Sequence, residues 1–592
     1  MKRALALAAL ALALLPAVAS AHATLQATIP KRGEKLDAAP AQVVFRFDEP
    51  VEAAFGALRV FDAEGNEVQT GEAFHPGGRG AEIAIKLKPG LGDGAYTATY
   101  RVVSADGHAI SSGFVFSVGD ATAPSESLET LLADSGTGPV TNTALAFARG
   151  FQYAAIALGL GTLIFFLYCW RGASSAFTRR LERLLLVAAL VGFVSAAIAV
   201  ILQGAVGQGG TFWAAAKPDV VSEVLGTRFG RAWGIGAAVW LVVLAVLALR
   251  PLRPGRGLAF GPGGSDDDGG VAVVTEAPPA PAIASTRPVL SPKLLALAVP
   301  LFAIALLPSL GGHTSVQKPV AILLPANVLH VLAMSAWLGG IAVLVFALRS
   351  ATSELEPSQR TPLLAGTIAR FSALATIALP LLILSGVVQS IIEVGSFPAL
   401  LDTPFGRSVL IKIVVALAIV GIGFVNRQKL VPALKRAAAG NTSPGRAGVL
   451  IRRTLRFELA LGLTALAATG ALSSYAPSVA ESAGPFSTNV NIGPARLEAT
   501  VDPAKVGPNE MHFYLFDRKT GAPFEGTVEL RVSASMPEKK IAPIELSPYD
   551  AGPGHYVVDG ATMSVKGDWT ISVVDRVSDF DEYEVKFTVP IE

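Results

Sequence analysis

The 592 residues include one cysteine, five methionines and seven histidines, and only 16% of the chain is charged. With Cys169 alone, an intrachain disulfide, a thiolate zinc cluster and a CxxC copper site are all excluded. Any metal must then be held by His, Met, carboxylate or backbone nitrogen. Basic residues exceed acidic ones by two, which leaves no footprint for nucleic acid. No nucleotide-binding loop, Ser-His-Asp order or HExxH helix is present, so nothing supports ATP-driven pumping or hydrolysis, and an enzyme is not expected.

Apolar surface, by contrast, is abundant. Residues of the apolar classes make up 51% of the chain, too many for an ordinary soluble protein, and its length calls for several domains. Lys2 and Arg3, an Ala/Leu run over residues 4–15, and Ala19-Ser20-Ala21 read as a secretory signal over residues 1–21. Cleavage after Ala21 would make His22 the mature N-terminus and put the next segment outside the cytoplasm. In residues 22–118, alternating segments at 42–48, 57–62, 82–88 and 96–103 are punctuated by Gly, Pro and Asp, which predicts an all-β sandwich. Residues 119–142, rich in Ala, Ser, Thr and Gly, read as a tether.

Eight apolar runs come next, at about 148–170, 183–206, 230–249, 293–311, 324–348, 371–392, 408–426 and 457–475. Each is near the roughly 20 residues that cross a bilayer as a helix. Basic residues gather on the expected inner side (Arg171, Arg179, Arg180, Arg183, Arg250, Arg253, Arg349, Arg427, Lys435, Arg436), in agreement with the signal peptide. The inner loop at 251–292, with Asp266 to Asp268 among Gly and Pro, reads as a solvated, unstructured segment and not as a metal cluster. Thr227-Arg-Phe-Gly-Arg231 and Thr403-Pro-Phe-Gly-Arg407 repeat, as do Leu160-Gly161 and Leu338-Gly339, which predicts four helices plus four in the same orientation. In that alignment His330 corresponds to Gln152. Residues 480–592 predict a second all-β sandwich, with strands near 498–501, 512–516, 527–532, 556–558, 569–574 and 584–589. The fold class is thus mixed and multidomain: sandwich, eight-helix membrane bundle over 143–478, sandwich.

A free N-terminal His22 offers its amine and its ring as a chelate, and Asp106-Gly107-His108 can add a carboxylate and a second imidazole from one tight turn. Such nitrogen-rich coordination suits Cu(II). These residues, with PAQVVFRFDEP (40–50) and YRVVSADGHAISSGFVFSV (100–118), resemble the CopC family of periplasmic copper-binding proteins over nearly all of residues 22–118. The resemblance implies that His22, Asp106 and His108 are the Cu(II) ligands. Some members also hold Cu(I) on methionines. Here no methionine lies between the initiator and Met334, so this domain should lack a thioether site. His75, in a Pro/Gly-rich loop, reads as a solvated loop residue.

The eight-span region, with Gly312-His313, Leu329-His330, Trp337-Leu-Gly-Gly340 and Phe457-Glu458, resembles the CopD family of copper-resistance membrane proteins. His313 leaves the fourth span and His330 enters the fifth, both toward the outer side, with Met334 one turn on; imidazole and thioether together suit copper, Cu(I) above all. The competing reading has the histidines hydrogen-bonding and Met334 packing. Trp337 reads as a packing residue, Arg231 and Arg407 as interfacial anchors, and Glu393 or Asp402 as a carboxylate able to attract cations. Gly554-His-Tyr556 and Gly567-Asp-Trp569 resemble YtkA-like domains. Met511, His512, Met536, His555 and Met563 offer donors there, but Met511 and His512 should face opposite sides of a strand, and a structural or docking role is favoured.

The leading expectation is copper capture outside the cytoplasm and transfer to or across a bacterial inner membrane, with both sandwiches on the outer side. Copper ions, the lipid bilayer and periplasmic copper chaperones are the expected partners. Two alternatives stay open: a membrane redox protein using haem or copper at His313 and His330, and an oxidative copper centre at the N-terminus.

Overall fold

In a computed structural model the chain is described over residues 23–119 (except 24, 32–33, 48, 53–57, 105–106 and 108), 139–249 (except 172–174 and 209), 292–473 (except 349–351, 353–354, 356, 441 and 444) and 486–591 (except 503). The segments read as signal peptide and as Asp-rich inner loop, and most of the one read as tether, lie outside the described residues.

The N-terminal unit consists of β1 (Leu25–Ile29), β2 (Lys35–Leu36), β3 (Gln42–Phe47), β4 (Val51–Glu52), β5 (Leu58–Phe61), β6 (Gln69–Phe74), β7 (Glu82–Leu87), β8 (Gly94–Ser104) and β9 (Ala109–Val118). One sheet has the order β1-β3-β7-β6; the other has the order β2-β9-β8-β4, with β5 also on β8. Phe45 joins the two sheets, its ring 5.2 Å from Tyr100 and 5.4 Å from Phe114 in edge contacts. Aromatic edge packing of this kind adds to the area removed from water.

Among the described residues, eight helices are long and apolar enough to cross a membrane: Val140–Tyr168, Ala176–Gln208, Arg228–Leu249, Lys293–Gly311, Val320–Phe346, Gln359–Val394, Pro404–Ala439 and Gly445–Leu472. The first helix starts at Pro139, inside the stretch read as tether. The last begins near Gly445, well before its apolar run, so Arg446, Arg452, Arg453 and Arg456 are helical residues. Long cationic side chains can bury their stems and keep their heads in water, which lets a span extend past its apolar core.

The predicted repeat is built into the caps. Thr227 Oγ1 accepts from the Gly230 amide at 3.0 Å and Thr403 Oγ1 from the Gly406 amide at 2.9 Å, at the starts of the third and seventh spans. Each hydroxyl satisfies an orphan amide of its helix. Arg231 and Arg407 donate back to the preceding short helix, at the Gly226 and Leu401 carbonyls. Gly161 and Gly339 meet face to face: a Cβ on either would collide with the backbone of the other helix. Trp337 is buried in this packing.

The C-terminal unit contains β10 (Phe486–Ile492), β11 (Ala495–Asp502), β12 (Gly507–Asp517), β13 (Glu529–Met536), β14 (Ile541–Leu546), β15 (Tyr549–Gly552), β16 (His555–Met563), β17 (Gly567–Arg576) and β18 (Glu582–Ile591). Its sheets are β10-β11-β12-β16-β15 and β14-β13-β17-β18. Strict alternation of buried and half-buried residues along β11 marks one face turned to the core and one turned away. Strands β10, β14 and β15 have no counterpart in the sequence reading; β14 is exposed or half-buried throughout, so it carries no alternating signal.

Candidate metal centres and the docking of the N-terminal sandwich

His22, Asp106 and His108 lie outside the described residues, but their chain neighbours are placed. Leu25 starts β1 opposite Phe47, the last residue of β3. The chain then crosses to the other sheet, where Val51 pairs with Ser104, the last residue of β8. Phe47 also packs edge-on to Tyr100 at 5.3 Å. The strand start just after His22 and the strand end just before Asp106 are therefore at the same end of the sandwich. A turn closes there, with the Gly107 amide donating to the Ser104 carbonyl at 2.9 Å. Gly107 has φ +90°, a conformation that strongly favours glycine.

That end of the sandwich is seated on the membrane domain. Gln203, in the second span, donates from Nε2 to the Gly107 carbonyl at 2.8 Å. Phe229, in the third span, lies within van der Waals reach of a Cβ placed on Gly107. Arg101 of β8 donates to the Gly207 carbonyl at 3.0 Å and to the Val206 carbonyl at 2.6 Å, both at the C-terminal end of the second span. A cation at a helix C-terminus meets orphan carbonyls and the negative end of the dipole. The burial that this seat imposes lowers the Arg101 pKa from its ordinary value. Beneath the turn, Arg149 donates to Gln203 at 3.3 Å, and its guanidinium lies 5.2 Å from the Phe229 ring centroid.

The third-span start also joins this seat to the fourth-to-fifth connection. The Arg228 amide donates to Glu52 of β4 at 3.1 Å, and its side chain donates to Ser315 Oγ at 2.8 Å. Ser315 closes the short turn His313–Ser315. Of His313 the backbone is placed; its side chain lies outside the described residues. Thr314 Oγ1 in turn accepts from Asn327 Nδ2 at 3.2 Å, on the fifth span one turn before His330.

His330 is not at the entrance of its span. The helix begins at Val320, so at 1.5 Å per residue His330 stands about 15 Å inside. The apolar run alone put the start four residues later. Its Nδ1 is 3.1 Å from Ser385 Oγ on the sixth span. Met334 comes later on the same helix, half-buried, just before a π-bulge at Ser335–Gly339. π-bulges recur at functional sites because they re-aim side chains within an otherwise regular helix.

The other half repeats this arrangement with different chemistry. Ser195 Oγ is 2.9 Å from the Gln152 amide. With its oxygen turned to the Trp240 indole N–H, 3.1 Å away, that amide donates to Ser195 and to the Gly192 carbonyl. Eight residues beyond the serine the halves carry Gln203 and Glu393; nine beyond the capping threonine they carry Gly236 and Lys412. Lys412 interacts electrostatically with both His330 and Glu393. Ionisable side chains at this depth are costly and mark function by default. Ser385, Lys412 and Gln203 were missed in the sequence reading, although extending the repeat alignment past Gln152 and His330 would have found them.

Elsewhere, His75 is not free in solvent, since its Nδ1 is 2.6 Å from the Glu82 carbonyl oxygen. In the C-terminal sandwich Met511, Met536 and Met563 are all in the core. His512 is on the opposite face of β12 from Met511, as alternation requires. Its Nδ1 is 3.1 Å from His555 Nε2 on β16, and its Nε2 is 3.0 Å from Glu510. Burial, with His512 adding to it, pushes the His555 pKa down to about 3, so the ring is neutral. Among the described residues no three His, Cys, Asp or Glu side chains converge on one point.

Comparison with known proteins agrees with this architecture for the N-terminal sandwich and for parts of the membrane bundle. Residues 25–119 match the CopC domain, residues 140–262 the N-terminal domain of copper resistance protein D-like proteins, and residues 365–472 copper resistance protein D. The chain is 28% identical to the copper transport protein CutJ of Bacillus subtilis over 98% of its own length and 97% of that protein. Copper resistance protein D of Pseudomonas syringae pv. tomato is 24% identical over 55% of this chain and 94% of its own length. Protein YobA of Escherichia coli K12 is 30% identical over 17% of this chain and 79% of its own length. With a CopC sandwich seated on a duplicated CopD bundle in one polypeptide, the chain belongs to the CopC–CopD fusion family of copper-resistance and copper-transport proteins.

Proposed function

We propose that this protein captures Cu(II) outside the cytoplasm on His22, Asp106 and His108, and hands copper to a pathway in the membrane domain that runs by His313 to His330 and Met334. One observation carries the reading: Arg228 and Phe229, neighbours at the start of the third span, reach the turn of His313 and the turn of Gly107 respectively. A metal leaving the first turn needs no free diffusion to meet the second, which raises its effective concentration there. His330 and Met334 then offer an imidazole and a thioether, a donor pair suited to copper and to Cu(I) above all.

Eight spans among the described residues support a reading in which both sandwiches share one side, and the arginines and lysines at the opposite helix ends support that side being the outer one. Copper chaperones of the periplasm are the partners such a surface would serve. Copper accumulation in cells expressing the wild type, His108→Ala and His330→Ala tests the reading. Loss in both variants is expected; wild-type accumulation in either one overturns it.

A further inference from the structure

The seventh and eighth spans leave a groove between them, away from the docked sandwich. It measures about 470 Å³ and is lined by Ile422, Arg453, Thr454, Arg456, Phe457 and Ala460, a size suited to a small ligand. Arg453, Arg456, Phe457 and Ala460 follow the i, i+3, i+4, i+7 spacing on one helix, so they form a single stripe. The stripe changes character along its length. Two guanidiniums come first, then the exposed Phe457 ring and Ala460 toward the middle of the span.

Depth fits that change. Ser473, at the other end of the helix, accepts from Arg149 beneath the docked turn. At 1.5 Å per residue, Arg453 and Arg456 lie about 30 and about 25 Å from it, against a hydrocarbon core about 30 Å thick. The two cations therefore stand near headgroup level, with Phe457 and Ala460 on the side of the acyl chains.

Charge in this stretch has one sign. Residues 427–457 hold eight lysines and arginines and no acidic residue. Among the described residues, neither Arg453 nor Arg456 has a protein acceptor for its guanidinium. Thr454 is already committed, its Oγ1 donating to Asn426 Oδ1 at 2.8 Å. The neighbouring carboxylate, Glu458, is buried and accepts from Asn426 at 2.7 Å, outside the groove.

We propose that this groove binds one anionic phospholipid, its phosphate diester on Arg453 and Arg456 and its acyl chains against Ile422, Phe457 and Ala460. The guanidinium fork matches phosphate oxygens bidentately, and basic pockets between membrane helices recognise anionic headgroups. A zwitterionic headgroup fits less well, because its own cation meets the same eight positive charges. The site lies apart from the proposed copper pathway, and its test does not depend on that pathway.

Full-length protein in detergent is given equal amounts of phosphatidylglycerol and phosphatidylcholine with identical acyl chains, and retained lipid is counted by native mass spectrometry. The wild type should retain phosphatidylglycerol in preference. Arg453→Gln/Arg456→Gln should weaken that preference about 30-fold, the contribution of two cations near a membrane surface. Lys435→Gln/Arg436→Gln removes the same charge from exposed positions outside the groove and should keep the wild-type preference. Equal retention of both lipids by the wild type, an unchanged preference in Arg453→Gln/Arg456→Gln, or the same loss in the two double variants would overturn the proposal.

Discussion

Gly161 of the first span and Gly339 of the fifth lie back to back, and a Cβ on either would come within 2.7 Å of the other's Cα. These residues hold equivalent places in the two halves, so the first and fifth spans meet backbone to backbone at matching positions. Backbone contact of this kind is how helices associate in lipid, where there is no hydrophobic force between them. His330 is nine residues before Gly339, and Gln152 nine before Gly161, so the two polar sites hold equivalent places in their halves.

Substituting either glycine should push the first and fifth spans apart. Gly161→Ala or Gly339→Ala is expected to cost about 1–3 kcal/mol, the usual range for overpacking, read as a lower midpoint of thermal unfolding in detergent. Gly421→Ala, where nothing stands within 4 Å, should leave the midpoint unchanged.

The repeat also predicts which change at His330 is tolerated. Gln152 already occupies the equivalent position beside Ser195, so His330→Gln should fold with wild-type thermal stability. Copper accumulation should nonetheless fall to background, because an amide is a poor copper ligand. Retention of accumulation would remove His330 from the pathway.

Arg101 positions the N-terminal sandwich without standing among the proposed ligands. Arg101→Met removes two hydrogen bonds from a charged donor, worth about 1.5–3 kcal/mol each. Cu(II) binding should persist while accumulation drops at least tenfold, and limited proteolysis should release the sandwich sooner than in the wild type. Loss of Cu(II) binding itself would assign Arg101 to the site and not to the seat.

Adding one residue ahead of His22 in the mature protein should abolish tight Cu(II) binding, since it replaces the chelating amine with an amide. Mass spectrometry of the purified protein, followed by copper titration, checks both the cleavage and its consequence.

Acid should weaken the N-terminal sandwich partly through Glu82. Its carboxyl is held below the ordinary value of 4.5, chiefly by the Arg79 hydrogen bond, with Arg46 adding to it. A depressed folded-state pKa stabilises above the unfolded value and loses that contribution as pH falls through it. The stability difference between wild type and Glu82→Gln should therefore shrink as pH falls below about 4.5, measured by thermal unfolding across that range.

Much of this molecule was decided by pattern. Alternation in β11 and β17, turn-punctuated apolar segments in residues 22–118, eight apolar runs and the paired TxFGR segments point to two sandwiches around a bundle of two similar halves, because each is a local rule that needs no knowledge of the rest. The turn at Gly107 was legible for the same reason, as its backbone strongly favours glycine. Tertiary structure alone decided that Gly107 rests on Gln203 and Phe229, that Arg228 joins this turn to that of His313, that His330 stands beside Ser385, and that His512 faces His555. Each of these joins residues far apart in the chain, through hydrogen bonds and ring contacts that carry no periodicity, so their pairing arises only when the elements pack.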